Sequence, residues 1–310
     1  MQYDLAIIGG GPAGVAAGIY AARKRLKTIF IAEEIGGQSA QSEEIQNWIG
    51  TEKISGFDFA KSLGKHLRAY TADAVTLCIG ERAEKISQIN GGFEINTNKN
   101  NSYTARAILI AVGSARRKLE IQGADTFEHK GLTYCASCDG PMFSDQDVVV
   151  VGGGNAGFDS ASQLLAYCKS VTILNRSSEP TKADPATVAS VLAHTNAHLL
   201  NNTIPTAIHG NQFVESLAIK NTATEEENTL KVAGIFVEIG ATPATVFAKD
   251  VANLAQDGTV KTDPRTQRTS REGIWAAGDC TDGLYHQNNI AAGDAVKALE
   301  DIYYWLKKKT

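Results

Sequence analysis

The chain carries the same glycine-rich turn twice, Gly9-Gly10-Gly11-Pro12-Ala13-Gly14 and Gly152-Gly153-Gly154-Asn155-Ala156-Gly157. Each copy follows an apolar run, Tyr3–Ile8 or Val148–Val151, and opens a helix-forming stretch, Ala13–Lys24 or Ala156–Tyr167. A second apolar run then closes each unit, Lys27–Ala32 or Ser170–Leu174. Glycines at this spacing let the backbone turn tightly and approach a pyrophosphate, which then sits at the positive end of a helix. The first copy also ends on Glu33-Glu34, an acid placed to accept hydrogen bonds from a ribose. One such loop is weak evidence. Two, each between strand and helix, read as two dinucleotide sites.

A further repeat supports two related domains. Residues 83–113 read as short alternating strands with a turn at Asn90-Gly91-Gly92, a polar stretch Asn98–Ser102 and a last buried strand Ile108–Val112 before Gly113. Residues 206–240 follow the same plan, with a turn at Gly210-Asn211, polar Thr222–Asn228 and a last strand Ile235–Ile239 before Gly240. The expected fold class is therefore α/β, with two Rossmann-like dinucleotide-binding domains. Each is a parallel sheet with an antiparallel meander, and the second is inserted in the first. The first domain spans 1–115 and resumes over 244–310, where Ile274–Ala277 leads to Gly278 and Asp279 and a closing helix runs Asn289–Lys307. The inserted domain is 116–243, with crossings near Ser114–Lys118 and Ala241–Thr245.

Between the loops lies Cys135-Ala136-Ser137-Cys138-Asp139-Gly140. A zinc site needs four ligands, and no second pair stands at ligand spacing: His129 is isolated, and Cys78, Cys168 and Cys280 are scattered. The pair therefore reads as redox-active, and no metal is expected. Asp139 either moves the proton that thiolate chemistry requires or caps the turn. The 43% apolar and 21% charged composition fits a globular protein, and a net charge of −4 gives no basic surface for nucleic acid. No apolar run reaches the ~18 residues of a membrane span. The start Met1-Gln2-Tyr3-Asp4 does not look like a secretory signal, so a cytoplasmic protein is expected.

With these elements in place the chain resembles the low-molecular-weight thioredoxin reductase family, and the flavoprotein subunit of alkyl hydroperoxide reductase. The residues that carry the resemblance are the two loops, Gly36-Gly37-Gln38, Gln46-Asn47-Trp48, the run from Lys130 to Pro141, Gly234–Gly240 and Ala276-Ala277-Gly278-Asp279. The resemblance implies a non-covalent FAD in the first domain, a nicotinamide domain in the middle, a homodimer and a rotation of the domains during turnover. It implies that Gly9, Gly11, Pro12, Ala13, Gly14, Glu33, Gly37, Gln38, Asn47, Gly113, Gly278, Asp279 and Gln287 serve the flavin dinucleotide. Gly152, Gly154, Asn155, Gly157 and Arg176 would serve the nicotinamide nucleotide. Cys138 would be the sulfur nearest the flavin, Cys135 the thiol that attacks a thioredoxin-like partner, and Asp139 the acid/base.

The sequence also departs from that pattern. NADPH-using members place His-Arg-Arg-x-x-x-Arg after the second strand of the middle domain, whereas this chain has Asn175-Arg176-Ser177-Ser178-Glu179-Pro180-Thr181. Hydrogen bonds to charged groups contribute about 1.5–3 kcal/mol each. Loss of two therefore predicts NADPH binding weakened by about 3–6 kcal/mol, leaving NADH, NADPH or another donor open. One such donor is ferredoxin, whose potential near about −400 mV lies well below thioredoxin near about −270 mV. His286 stands where many relatives carry Arg. The extra N-terminal thioredoxin-like domain of the peroxide-reductase relatives is not expected here, so electrons would pass to a separate protein. Because Cys-x-x-Cys does not reveal direction, a flavin-dependent dithiol oxidase using oxygen is the alternative reading, with a redox sensor behind it.

Overall fold

The computed structural model describes residues 2–42, 44–71 and 74–308. The chain divides into two compact units, 1–115 with 242–310, and 116–241.

In the first unit β1 (Gln2–Ile8) is buried from Leu5 onward, because it lies between two parallel neighbours and is covered on both faces. It leads through the first loop to α1 (Pro12–Arg23), where Pro12 provides a pre-set first-turn φ. Then follow β2 (Thr28–Ala32), α2 (Gly56–Thr71), β3 (Val75–Ile79), β4 (Ala83–Ile89), β5 (Gly92–Thr97) and β6 (Ser102–Ile110). The sheet order is β3-β2-β1-β6-β5-β4. Alternation along β1 separates two cores. Leu5 and Ile7 pack with the α1 side chains, and Ala6 and Ile8 pack with Phe93 and Ile95 of the meander.

The last strand of the meander differs from the expected Ile108–Val112. β6 is one strand from Ser102, because Ser102 to Ala105 pair antiparallel with β5 while Thr104 onward also pairs in parallel with β1. The chain then crosses through β7 (Ser114–Arg116) into the second unit.

The second unit runs α3 (Ala124–Phe127), β8 (Leu132–Thr133), α4 (Ala136–Asp139), β9 (Asp147–Val151), α5 (Asn155–Leu164), β10 (Ser170–Leu174), α6 (Pro185–Leu192) and β11 (Ala197–Leu200). Next come β12 (Thr203–Gly210), β13 (Val214–Asn221), β14 (Glu227–Lys231) and β15 (Gly234–Val237). Five strands form a parallel sheet in the order β11-β10-β9-β15-β8. Val148 and Val150 of β9 meet Phe158, Ala161 and Leu164 of α5, while Val149 and Val151 meet Leu217 and Ile219 of the meander. Here the meander is a separate three-stranded sheet, β12-β13-β14, so the repeat is not wired identically to the first. β16 (Ala241–Pro243) pairs with β7 at the return crossing. The first unit is completed by β17 (Ile274–Ala276), parallel to the second half of β6, and by α7 (Asn288–Lys308). Ala295, Ala298, Leu299 and Ile302 of α7 close the core beside α1. Among the described residues no helix is long and apolar enough to cross a membrane.

One buried carboxylate stands out in the second unit. Glu238, just past β15, accepts hydrogen bonds from Ser160 Oγ at 2.7 Å and Arg116 Nη1 at 3.1 Å. Burial pushes its carboxyl above the usual 4.5, and the attraction of Arg116 offsets this only in part. Glu238 is thus more readily protonated in the folded chain than in the unfolded one. Its contribution to stability is complete below about 4.5 and is lost as pH rises through the raised value. Thermal melts of wild type and Glu238→Gln across pH 4–8 should therefore show the wild type losing Tm relative to the variant as pH rises. A difference independent of pH would contradict this.

Candidate active site

The first loop is built by close backbone approach. Gly9 adopts φ +120°, and a Cβ there would lie 2.1 Å from the Ala111 carbonyl oxygen. A Cβ on Gly14 would lie 1.9 Å from the Gly9 carbonyl oxygen, so only glycine lets α1 seat against the end of β1. Gly11, by contrast, faces open space. It caps α1 without a side-chain hydrogen bond, which leaves the first amides of the helix available to an anion.

Those amides border a cavity of about 740 Å³ within the first unit. Gly9, Gly11, Pro12, Ala13, Glu33, Gly37, Gln38, Gly113, Gly278 and Asp279 all line it. Glu33 pairs with Arg82 at 3.4 Å, and both reach the cavity. The donors, the acid at the strand end and the glycine-lined space fit a dinucleotide such as FAD. Asn47 and Gln287 do not stand on the cavity wall. Instead Asn47 Nδ2 donates to Gln287 Oε1 at 3.0 Å and Asn289 Nδ2 donates to the Asn47 carbonyl at 2.7 Å. Ser39 Oγ adds a bond to Asn288 Oδ1 at 2.7 Å, so Ser39 and Asn47 are both pinned to the start of α7. His286 lies beside this anchor, with its Nε2 buried and without a hydrogen-bond partner among the described residues.

The second loop repeats the construction. A Cβ on Gly157 would lie 1.8 Å from the Gly152 carbonyl oxygen, and Gly154 again faces open space. Asn155 opens α5, but its Oδ1 accepts the Asp184 backbone N–H at 2.7 Å, tying α5 to the cap of α6. Strand register aligns the two units: Ile8 pairs with Ile31 as Val151 pairs with Leu174. Two residues beyond the strand pair, Arg176 therefore takes the place that Glu33 holds in the first unit. Arg176 is exposed, while Asn175 before it is buried and bonded to Asn201 Oδ1 and the Ser177 carbonyl.

Cys135 and Cys138 are joined by a disulfide on the short turn that follows β8, and both are half-buried. The turn is closed by the Cys138 and Asp139 backbone amides donating to the Cys135 carbonyl at 3.3 and 3.1 Å. Ser137 Oγ bonds to Gln163 Oε1 of α5 at 2.7 Å. Thr133 Oγ1 donates to the Asp139 carboxylate and accepts the Cys135 N–H at 3.4 Å. The other cysteines differ in kind. Burial pushes Cys168 and Cys280 up to about 11 and raises Cys78 as well, which keeps all three as protonated, poorly nucleophilic thiols. No group of three or more metal-ligating side chains occurs among the described residues.

Motif reading does not single out Thr133, Arg82, Ser160 or Glu238 individually. Each acts through a side-chain bond whose partner is fixed only by the folded strand ends. For Thr133 a local cue exists, a hydroxyl two residues before the first cysteine.

Two glycine-tight helix starts and a half-buried disulfide are the arrangement expected of an oxidoreductase in which nucleotides exchange electrons with a dithiol. The chain belongs to the pyridine nucleotide-disulphide oxidoreductase family, which it matches over residues 3–295. It is 36% identical over 296 residues to the F component of alkyl hydroperoxide reductase from Staphylococcus aureus, covering 96% of this chain and 57% of that one. The chain thus spans little more than half the length of the curated relatives it matches. Among solved structures it is similar to thioredoxin reductase from Streptococcus pyogenes, with TM-score 0.90, 31% identity and 99% of both chains covered. Thioredoxin reductase from Giardia duodenalis gives TM-score 0.91 at 31% identity, again over 99% of both. Membership places the chain among flavoprotein disulfide reductases, and the family implies both a flavin and a nicotinamide nucleotide.

The two loops predict different losses. Gly14→Ala should sharply reduce the visible flavin absorbance of the purified protein, because its Cβ displaces α1 from the cavity. Gly157→Ala should keep that absorbance at the wild-type level and lose reduction by nicotinamide nucleotide. Equal flavin content in all three proteins would contradict the assignment of the first loop.

Proposed function

We propose that this chain is an FAD-dependent thiol–disulfide oxidoreductase of thioredoxin reductase type. It would accept electrons from a nicotinamide nucleotide and deliver them through Cys135 and Cys138 to a thioredoxin-like protein. The observation that carries the reading is the half-exposed Cys135–Cys138 bond beside Asp139, in a chain whose other thiols are pushed towards inert, protonated forms.

Bound FAD supplies a two-electron store. The α1 amides and the Gly9–Gly14 loop would hold its pyrophosphate, Glu33 would accept hydrogen bonds from its adenosine ribose, and Gln38 and Asp279 line the same cavity. In the second unit Gly152, Gly154 and Gly157 offer the α5 amides to the nicotinamide nucleotide. Two electrons from the reduced nucleotide, with two protons drawn from it and from solvent, break the Cys135–Cys138 bond and leave two thiols; Cys135 then gives its proton to Asp139 or to water and becomes the thiolate. The Cys135 thiolate attacks one sulfur of the partner's disulfide and forms a mixed disulfide. Cys138 then attacks Cys135, the internal bond reforms, and the partner leaves with both electrons and its two protons.

Arg176 in the place of Glu33 supports a nucleotide carrying a 2′-phosphate, since that position holds no acid to repel it. Ser177 and Thr181 supply no further cations, so affinity for NADPH is expected to fall below that of a full clamp and NADH to compete. The same missing cations favour the second reading, a ferredoxin-driven reductase. By its resemblance the protein works as a cytoplasmic homodimer.

Anaerobic mixing with NADH, NADPH or reduced ferredoxin, followed by flavin bleaching, identifies the donor. Rapid bleaching by one or both nucleotides is expected, and bleaching by ferredoxin alone would overturn the nicotinamide reading. Cys138→Ser should retain FAD and lose reduction of thioredoxin. Unchanged turnover would remove the cysteine pair from the reaction.

A further inference from the structure

β8 is an edge strand of only two residues, Leu132 and Thr133, paired in parallel with Ile235 and Phe236 of β15. Both residues are buried, Leu132 fully and Thr133 to within 6% exposure. A β-branched side chain so held has few rotamers open to it, which fixes the direction of its hydroxyl. That hydroxyl has one hydrogen to give and lone pairs to receive. It receives the Cys135 N–H at 3.4 Å and gives its hydrogen to the Asp139 carboxylate. The backbone of Asp139 is tied to the same cysteine, its N–H donating to the Cys135 carbonyl at 3.1 Å. One buried side chain on the sheet thus links the start of the redox turn to the acid at its end.

We propose that Thr133 is the positioning residue for Asp139. It orients the carboxylate on the disulfide turn so that Asp139 can take the proton of the thiol released when the bond opens. This rests on the reading of Asp139 as the proton carrier. A threonine that only closed the turn would satisfy the Cys135 amide equally well, but its loss would not act through the carboxylate.

The test needs no natural partner. The whole flavoprotein in a Cys78→Ser background is reduced with dithiothreitol, freed of reagent and mixed anaerobically with 5,5′-dithiobis(2-nitrobenzoate) between pH 5 and 9. One thiolate of the pair displaces a nitrothiobenzoate and forms a mixed disulfide. The second thiol gives up its proton and displaces the other, so the two electrons of the dithiol end on two nitrothiobenzoates as Cys135–Cys138 reforms. General acid–base assistance commonly contributes a hundredfold or more, so misplacing the carboxylate should slow ring closure about tenfold.

The expected result is slowed closure with a displaced pH profile in Thr133→Val, and near wild-type behaviour in Thr133→Ser. Asp139→Asn should be slow, and adding Thr133→Val to it should cost nothing more, because the two residues act as a unit. If Thr133→Val does not fold by circular dichroism, Thr133→Ala carries the same comparison. Wild-type closure in the Thr133 variant with slow closure in Asp139→Asn would overturn the inference. So would an equal further loss on the Asp139→Asn background. Wild-type closure in Asp139→Asn would overturn the proton-carrier reading itself, and the inference with it.

Discussion

Gly14 and Gly157 bring their helices so close to the preceding strand ends that a methyl group would lie 1.9 and 1.8 Å from the carbonyl oxygens of Gly9 and Gly152. No side chain can stand in that gap, so helix, loop and strand end form one rigid corner in each unit. The corner points the first helical amides outward at Gly11 and Gly154, where space is open. Helix N-termini carry partial positive charge and unpaired N–H groups, which suits the diphosphate of a dinucleotide. The cavity of the first unit is arranged around this corner, with walls drawn from strand ends and loops that the sheet order brings to one edge.

The same framework is furnished differently in the two units. Strand register makes Ala111 of the first unit the equivalent of Glu238 in the second, and helix spacing from the glycines makes Ala17 the equivalent of Ser160. Two small apolar residues in one unit thus correspond to a hydrogen-bonded buried carboxylate and hydroxyl in the other, joined by Arg116 from β7. Charge is also exchanged at the nucleotide end, where Glu33 corresponds to Arg176. An acid there favours a free ribose and an arginine tolerates a phosphate, so the corners share a geometry while their ligand preferences diverge.

The strand–loop–helix grammar is legible in the sequence because it is local. Apolar runs, glycine spacing and the turn at Asn90-Gly91-Gly92 each signal within a few residues. The meanders are legible as strands but not in their wiring. Continuation of Ser102–Ala105 beside β5 depends on pairing partners, and a separate β12-β13-β14 sheet cannot be told from a continuous one by alternation. Cys135, Cys138 and Asp139 are visible as a motif, whereas the role of Thr133 requires knowing which way a two-residue edge strand presents its hydroxyl. Asn47 and Gln287 show the converse: motif matching marks both, and the fold bonds them to each other across 240 residues rather than setting them on the cavity wall.

If the flavin and one disulfide together form the redox circuit, electron storage in the chain is the sum of the two. An anaerobic reductive titration of the oxidised holoprotein, with electrons counted to full reduction, tests that most directly. Four electrons per chain are predicted for the wild type and two for Cys138→Ser. Two electrons in both proteins would contradict it, since the Cys135–Cys138 bond would then lie outside the redox circuit.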